Sequence, residues 1–212
     1  MGDTLKIGCV VMASGNAVRF GSNKLSARLD GRSLMTHALE AIPQEAVQKA
    51  VVVTQYPEIA KLAKLYSFTV IFNEHPENGI SESVKLGLSH LLDCDGVLFQ
   101  VSDQPLLRRE TVAALVELWR QHPDRIAALG HKGQRGNPCL FPARFFPELM
   151  ALEGDRGGSM VIRRHPEALR YSVEALGGDV CKALKLYFDK EILWGMDGHM
   201  PAYYLLLGGL LK

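Results

Sequence analysis

Short apolar runs alternate along this chain with stretches whose apolar residues recur every three or four positions. Ile7–Ala13 is apolar on both faces and of strand length. Residues 50–54, 68–72 and Gly96–Val101 repeat the pattern, and 126–129 form a weaker fifth run. Continuous runs of this kind suit strands of a parallel sheet that is covered on both sides. The stretches between them read as helices. Ser33 can cap one that turns Leu34, Met35, Ala38, Leu39 and Ile42 inward, with Pro43 ending it. Pro57 suits a first helical turn ahead of Ile59, Leu62, Ala63 and Tyr66. Ser81 can cap a helix carrying Val84, Leu88, Leu91 and Leu92 on one side, and 110–120 carries Val112, Leu115, Leu118 and Trp119. Strand–helix alternation predicts an α/β protein, a three-layer αβα sandwich around a mostly parallel, doubly wound sheet. Ligands bind such sheets beyond the carboxyl ends of the strands. The loops after Ala13, Thr54, Phe72 and Val101 are therefore where chemistry is expected.

No repeat, linker or low-complexity tract interrupts the chain, so one domain over residues 1–212 is the expectation. After about residue 175 glycines punctuate the sequence and no elements are assigned. A chain of 212 residues can bury roughly 70% of its unfolded surface. It therefore needs neither disulfides nor a structural metal to hold a core. Lys plus Arg is 24 and Asp plus Glu is 23, so no basic excess points to nucleic acid. Cys9, Cys94, Cys139 and Cys181 lie far apart without a C-x-x-C pair, which reads as reduced, mostly buried thiols. The first six residues lack the form of a signal peptide, and the apolar stretch 203–211 is about half a membrane span. These features predict a soluble, cytoplasmic protein with no membrane or nucleic-acid partner.

The first loop carries the strongest candidate chemistry. Ala13, Ser14 and Gly15 follow a buried strand, and Arg19, Gly21 and Lys24 come next. Glycines let the backbone approach a ligand closely. Backbone N–H groups together with an Arg and a Lys make an anion cradle suited to a polyphosphate. Neither a Walker loop nor G-x-G-x-x-G is present. On spacing alone, a solvated surface loop accounts for the charges equally well. Asp103, in Ser102-Asp103-Gln104-Pro105, stands at the carboxyl end of the run Gly96–Val101. That placement suits Mg2+, which takes one or two carboxylates plus phosphate oxygens, although an Asx turn explains the tetrapeptide as readily.

Residues 13–24 resemble the A-G-x-x-x-R-[FM]-G-x-x-K signature loop of nucleotidyltransferases, in particular the molybdenum cofactor cytidylyltransferase family. Gly15, Arg19, Gly21 and Lys24 match, and Ser14 stands where that family has Ala or Gly. Asn23 and Leu25 flank the lysine as in the cytidylyltransferase branch rather than the guanylyltransferase branch. Ser102-Asp103-Gln104-Pro105 is similar to the family's D-x-P motif. Residues 79–88 resemble a glycine-bounded helix start that holds the nucleotide, in which Gly79, Ser81 and Ser83 would present N–H and hydroxyl groups. Gly136, Asn137 and Pro138 resemble a G-x-P segment, usually Gly-His-Pro. With 152–158, similar to a G-D-x-G-[AG] segment, they belong to the half of the chain that faces the pterin in that family. The family's terminal Asp-Ile-Asp-Thr-Pro is not intact, and Asp197 is the nearest candidate for a second metal ligand.

The resemblance implies a nucleotidyltransferase fold and transfer of CMP from CTP to a molybdopterin-type molybdenum cofactor, with pyrophosphate leaving. Arg19 and Lys24 would stabilise the phosphates. Asp103, with Asp197, would hold Mg2+, for which Mn2+ could substitute. A molybdenum hydroxylase apoenzyme would be a downstream partner. Two alternatives stay open: a transferase specific for GTP or a sugar phosphate, and a non-catalytic protein that carries or inserts the cofactor.

Overall fold

The computed structural model describes residues 5–15, 24–131 and 134–174. Nine strands and six α-helices occur among them. Strand β1 is Ile7–Ala13, and a short hairpin pairs β2 (Arg28–Leu29) with β3 (Arg32–Ser33). Helix α1 (Leu34–Glu40) leads to β4 (Lys49–Thr54), and α2 (Pro57–Leu65) to β5 (Thr69–Phe72). Helix α3 (Ile80–Ser89) precedes β6 (Gly96–Val101), and α4 (Arg109–Gln121) precedes β7 (Ile126–His131). The described part closes with β8 (Gln134–Pro142), α5 (Phe146–Met150), α6 (Gly158–Arg164) and β9 (Leu169–Glu174).

Seven strands form one sheet in the order β5-β4-β1-β6-β8-β7-β9. Only β8 runs antiparallel to its neighbours, so the sheet is mostly parallel, as the sequence pattern predicts. Strand β1 supplies both layers of core. Ile7, Cys9 and Val11 pack on one side with Met35 and Leu39 of α1, Ile59 of α2 and Trp119 of α4. Val10 packs on the other side with Val84 and Leu88 of α3, Leu149 of α5 and Val161 of α6. This period-two division of an apolar strand is what a doubly covered sheet requires. Helix α3 lies so close to β1 that a Cβ on Gly87 would run into the Val10 side chain.

The chain steps from β1 outward to β4 and β5, then α3 carries it back to β6 on the other side of β1. The crevice between the carboxyl ends of β1 and β6 is thus the topological switch point, where doubly wound sheets bind ligands. Parallel pairing in the register Met12↔Val101 brings those two ends to the same level.

Several local expectations need correction. Ser33 caps α1, accepting from the Thr36 N–H at 3.1 Å, but Ser81 does not cap α3. Gly79 holds that position, and Ser81 is buried inside the first turn. Leu92 lies past the end of α3 and is exposed. The stretch 134–142, which lacks a continuous apolar run, is strand β8. Among the described residues, no helix is long and apolar enough to cross a membrane.

Cys9, Cys94 and Cys139 are free and buried. Burial drives the Cys9 thiol far up and pushes Cys139 up to about 11, so both stay neutral and unreactive at pH 7. Cys181 lies outside the described residues. At the edge of the sheet remote from the switch point, Asp93 pairs with Lys49 and Lys6. Hydrogen bonds from Lys49 and Lys6 hold its carboxyl far below the usual carboxylate range. A depressed folded-state pKa gives stability that is present above the unfolded value, about 3.9, and lost as pH falls below it. Asp93→Asn should therefore flatten the acid side of a plot of melting temperature against pH. An acid limb unchanged from the wild type would show that the cluster contributes nothing.

Candidate active site at the switch point

A cavity of about 480 Å³ opens at the carboxyl ends of β1 and β6. Its floor is the end of β1, Met12 to Gly15, and its near wall is Lys24, Leu25, Ser102 and Asp103. The far wall comes from the loop after β5, the start of α3 and Asp155.

Side chains from the neighbouring strands fix the β1 end. Thr54, buried at the end of β4, donates from Oγ1 to the Ala13 carbonyl at 3.0 Å and accepts from the Tyr56 N–H. Ser102, just past β6, donates to the Met12 carbonyl at 2.8 Å. Gln55 Nε2 donates to the Ser14 carbonyl at 2.8 Å, and the Tyr56 hydroxyl to the Gly15 carbonyl at 2.9 Å. The backbone of the first loop is therefore held from both sides before it leaves the sheet. Within this frame Ser14 is 5% exposed, and its hydroxyl has no hydrogen-bond partner among the described residues. A buried hydroxyl left unpaired costs about 1–3 kcal/mol.

Lys24 opens a single 3-10 turn, Lys24–Ser26, that buries Leu25 as an anchor. Its Nζ donates to Asp103 Oδ2 at 3.1 Å. The two candidates from separate loops thus meet across the crevice.

The far wall depends on glycine. Gly79 has φ +83° and ψ −168°, a conformation essentially confined to glycine. A Cβ there would lie 2.5 Å from the Gly154 carbonyl carbon and 2.6 Å from Asp155 Oδ1. This close approach lets the Ser81 N–H donate to the Gly154 carbonyl at 3.0 Å, joining the 152–158 loop to α3. The same bond overturns one expectation. The Ser81 N–H is spent on protein, its hydroxyl points to the Asn78 carbonyl, and it does not line the cavity. Ser83 and Gly79 do line it. Ser83 Oγ accepts from buried Asn73 Nδ2 at 3.4 Å, which leaves its own hydroxyl proton available.

Of the remaining candidates, Gly136, Asn137 and Pro138 lie in β8, with a cis Asn137–Pro138 bond. The register Phe99↔Cys139 carries them toward the carboxyl end of β6, but they do not line the cavity. Arg19, Gly21 and Asp197 lie outside the described residues. Sequence reasoning passed over Asn73, Glu77 and Asp155 as site residues, and the cavity brings all three in. The signals were there: Asn73 directly follows β5, and Asp155 sits between glycines in 152–158.

The oxygen donors at the mouth fit a hard divalent cation such as Mg2+ or Mn2+. Among the described residues no three His, Cys, Asp or Glu side chains come together to cage a metal. Asp103 is the carboxylate on the near wall of the cavity, an arrangement suited to a cation that takes its other ligands from substrate phosphates and water.

A profile of the MobA-like NTP transferase domain matches residues 9–169. The chain belongs to this family. It is 25% identical over 165 residues to the purine catabolism protein PucB of Bacillus subtilis, covering 73% of this chain and 79% of that one. It is 32% identical over 108 residues to a 2-C-methyl-D-erythritol 4-phosphate cytidylyltransferase of Dehalococcoides mccartyi, 48% of each chain. A probable molybdenum cofactor guanylyltransferase of Thermococcus sibiricus is 28% identical over 113 residues, 53% of this chain and 55% of that one. The match thus spans about half the length of the last two relatives. Among solved structures, a nucleotidyl transferase from Methanothermobacter thermautotroptrophicus superposes with a TM-score of 0.70 at 19% identity, covering 89% of this chain and 98% of that one. A Mycobacterium tuberculosis protein in complex with manganese gives 0.66 at 18% identity, covering 84% and 97%. The MobA-like domain shares its fold with both.

Proposed function

We propose that this MobA-like transferase moves CMP from CTP onto the terminal phosphate of a molybdopterin-type molybdenum cofactor, releasing pyrophosphate. The observation that carries the reading is the meeting of Lys24 and Asp103 across a cavity at the switch point, 3.1 Å apart. The substrate phosphate is already ionised at neutral pH, so no general base is required. Its oxygen forms a bond to the α-phosphorus of the nucleotide while the bond to the pyrophosphate oxygen breaks. The protein aligns two anions and neutralises charge as it develops. Lys24 supplies a fixed cation to the phosphates, and Arg19 is assigned the same task. Asp103, with Asp197 as second ligand, would hold Mg2+, for which Mn2+ would substitute. When bound, the cation neutralises phosphate charge and polarises the phosphoryl oxygens. Gly15, Gly79, Ser14 and Ser83 line the nucleotide's cavity, and Gly136, Asn137 and Pro138 are assigned to the pterin side. A molybdenum hydroxylase apoenzyme would receive the product.

The preference for CTP rests on Asn23 and Leu25 beside Lys24. Pyrophosphate release measured with each of the four nucleoside triphosphates tests it. A site that hydrogen-bonds the cytosine edge leaves its own groups unpaired against the wrong base, so CTP should be used far faster than GTP. Equal rates, or faster use of GTP, would refute the base assignment and leave the reaction class standing.

Ser14→Ala separates a ligand-facing hydroxyl from a structural one. Removing a buried, unpaired polar group should leave the melting temperature unchanged or raise it by roughly 2–4 °C. Nucleotide affinity should fall about tenfold, the worth of one good hydrogen bond in a water-poor site. A lower melting temperature with unchanged affinity would assign Ser14 to the fold instead.

A further inference from the structure

The backbone pairing of β1 with β4 ends at Ala13↔Thr54, but side chains carry the same register onward. Thr54 Oγ1 donates to the Ala13 carbonyl at 3.0 Å, Gln55 Nε2 to the Ser14 carbonyl at 2.8 Å and the Tyr56 hydroxyl to the Gly15 carbonyl at 2.9 Å. Three successive residues after one strand thus hold three successive carbonyls after its neighbour. The Met12 carbonyl, one residue earlier, goes the other way, to Ser102 after β6. A trans peptide is planar and carries its C=O and N–H on opposite edges. Turning the Ala13 and Ser14 carbonyls toward β4 therefore turns the Ser14 and Gly15 N–H groups away from it. Strand β1 lies between β4 and β6, so they face the β6 side, where the cavity lined by Ser14 and Gly15 opens. Successive N–H groups on one side make an anion-binding concavity. The donors are themselves fixed. The Tyr56 N–H is held by Thr54 Oγ1 at 3.1 Å, its carbonyl accepts from the Ala60 N–H of α2, and its side chain packs against the core.

We infer that Gln55 and Tyr56 are positioning residues that pin the two peptide planes flanking Gly15 and so aim its N–H at an anion in the cavity. Neither side chain lines the cavity. Glycine is the residue with the most backbone freedom to lose, so an unpinned Gly15 would spread its N–H over many directions. Holding the carbonyls on both sides of it removes that freedom before the ligand arrives, and less ordering is left for binding to bear. The inference rests on the nucleotidyl-transfer reading for the identity of the anion as a nucleoside triphosphate.

The test compares the full wild-type chain with Tyr56→Phe, which keeps the ring, and Gln55→Met, which keeps the length. Inorganic tripolyphosphate and each of the four nucleoside triphosphates are titrated calorimetrically in Mg2+. The 15N order parameter of the Gly15 amide is measured in the free proteins. In both variants it should fall from the rigid range, about 0.85, toward about 0.6. Affinity for tripolyphosphate and for CTP should each drop about fivefold, the worth of one hydrogen bond. KM for CTP should rise by the same factor while kcat stays within about twofold, and the melting temperature should stay within about two degrees. Tripolyphosphate affinity unchanged in both variants, with CTP bound by the wild type, overturns the positioning role and leaves the nucleotidyl-transfer reading intact. A fall of several degrees in melting temperature with KM unchanged also overturns it, assigning both residues to the fold. Loss of order and of tripolyphosphate affinity in the variants, with no nucleoside triphosphate bound by the wild type, supports the positioning role and overturns the nucleotide reading. Failure of the wild type to bind tripolyphosphate or any nucleotide overturns both.

Discussion

Lys24→Ala should lower nucleotidyl-transfer turnover by about 100-fold or more, the cost of removing one preorganised electrostatic donor. The lysine faces the cavity mouth from a short turn whose anchor is Leu25, and among the described residues its partner is Asp103. Truncating it removes no core contact, so the melting temperature should stay within about two degrees of the wild type. Single-turnover measurements with saturating nucleotide and Mg2+ distinguish a loss in the chemical step from weaker binding. Normal turnover would remove Lys24 from the phosphate site. A large fall in melting temperature would assign it to the fold.

The second large effect is structural and reaches the site indirectly. Gly79→Val places a branched side chain at φ +83° and ψ −168°, with its Cβ 2.5 Å from backbone of the 152–158 loop. The obstacle is main chain rather than a flexible side chain, so the loop and the start of α3 must move apart. Strain of this kind costs about 2–4 kcal/mol, a fall in melting temperature on the order of 5–10 °C. The Ser81–Gly154 hydrogen bond is lost with it, and Ser83 and Asp155 shift on the far wall of the cavity. KM for the nucleotide should therefore rise even in molecules that stay folded. Thermal denaturation followed by circular dichroism, with steady-state kinetics below the melting range, reads both effects. An unchanged melt would mean the loop and helix are not locked together at Gly79.

The parallel half of the sheet is legible because its strands are buried on both faces. Their runs are continuous, and their helices begin with ordinary signals such as Ser33 and Pro57. Strand β8 hides because it carries Arg135, Gly136 and Asn137 before its buried half, Cys139 to Phe141. Serine's strength as a capping residue points to Ser81 as the start of α3. Packing against Gly154 overrides that preference, since the helix begins where glycine permits contact. The near wall of the site could be read from the sequence because Lys24 and Asp103 each follow a recognisable strand. The far wall could not. Asn73, Glu77 and Asp155 become neighbours only through the closure of a loop some 75 residues downstream onto α3. The reading of 152–158 as a pterin-facing segment carries no information about which residues it would touch.

The most direct test follows the phosphorus. The purified chain is incubated with CTP labelled at the α-phosphate, Mg2+ and molybdenum cofactor, and pyrophosphate and labelled pterin are measured together. One pyrophosphate should be released for each label transferred to the cofactor, with neither formed when the cofactor is left out. Release of no pyrophosphate with any of the four nucleoside triphosphates, or transfer of the label only to a sugar phosphate, would contradict it.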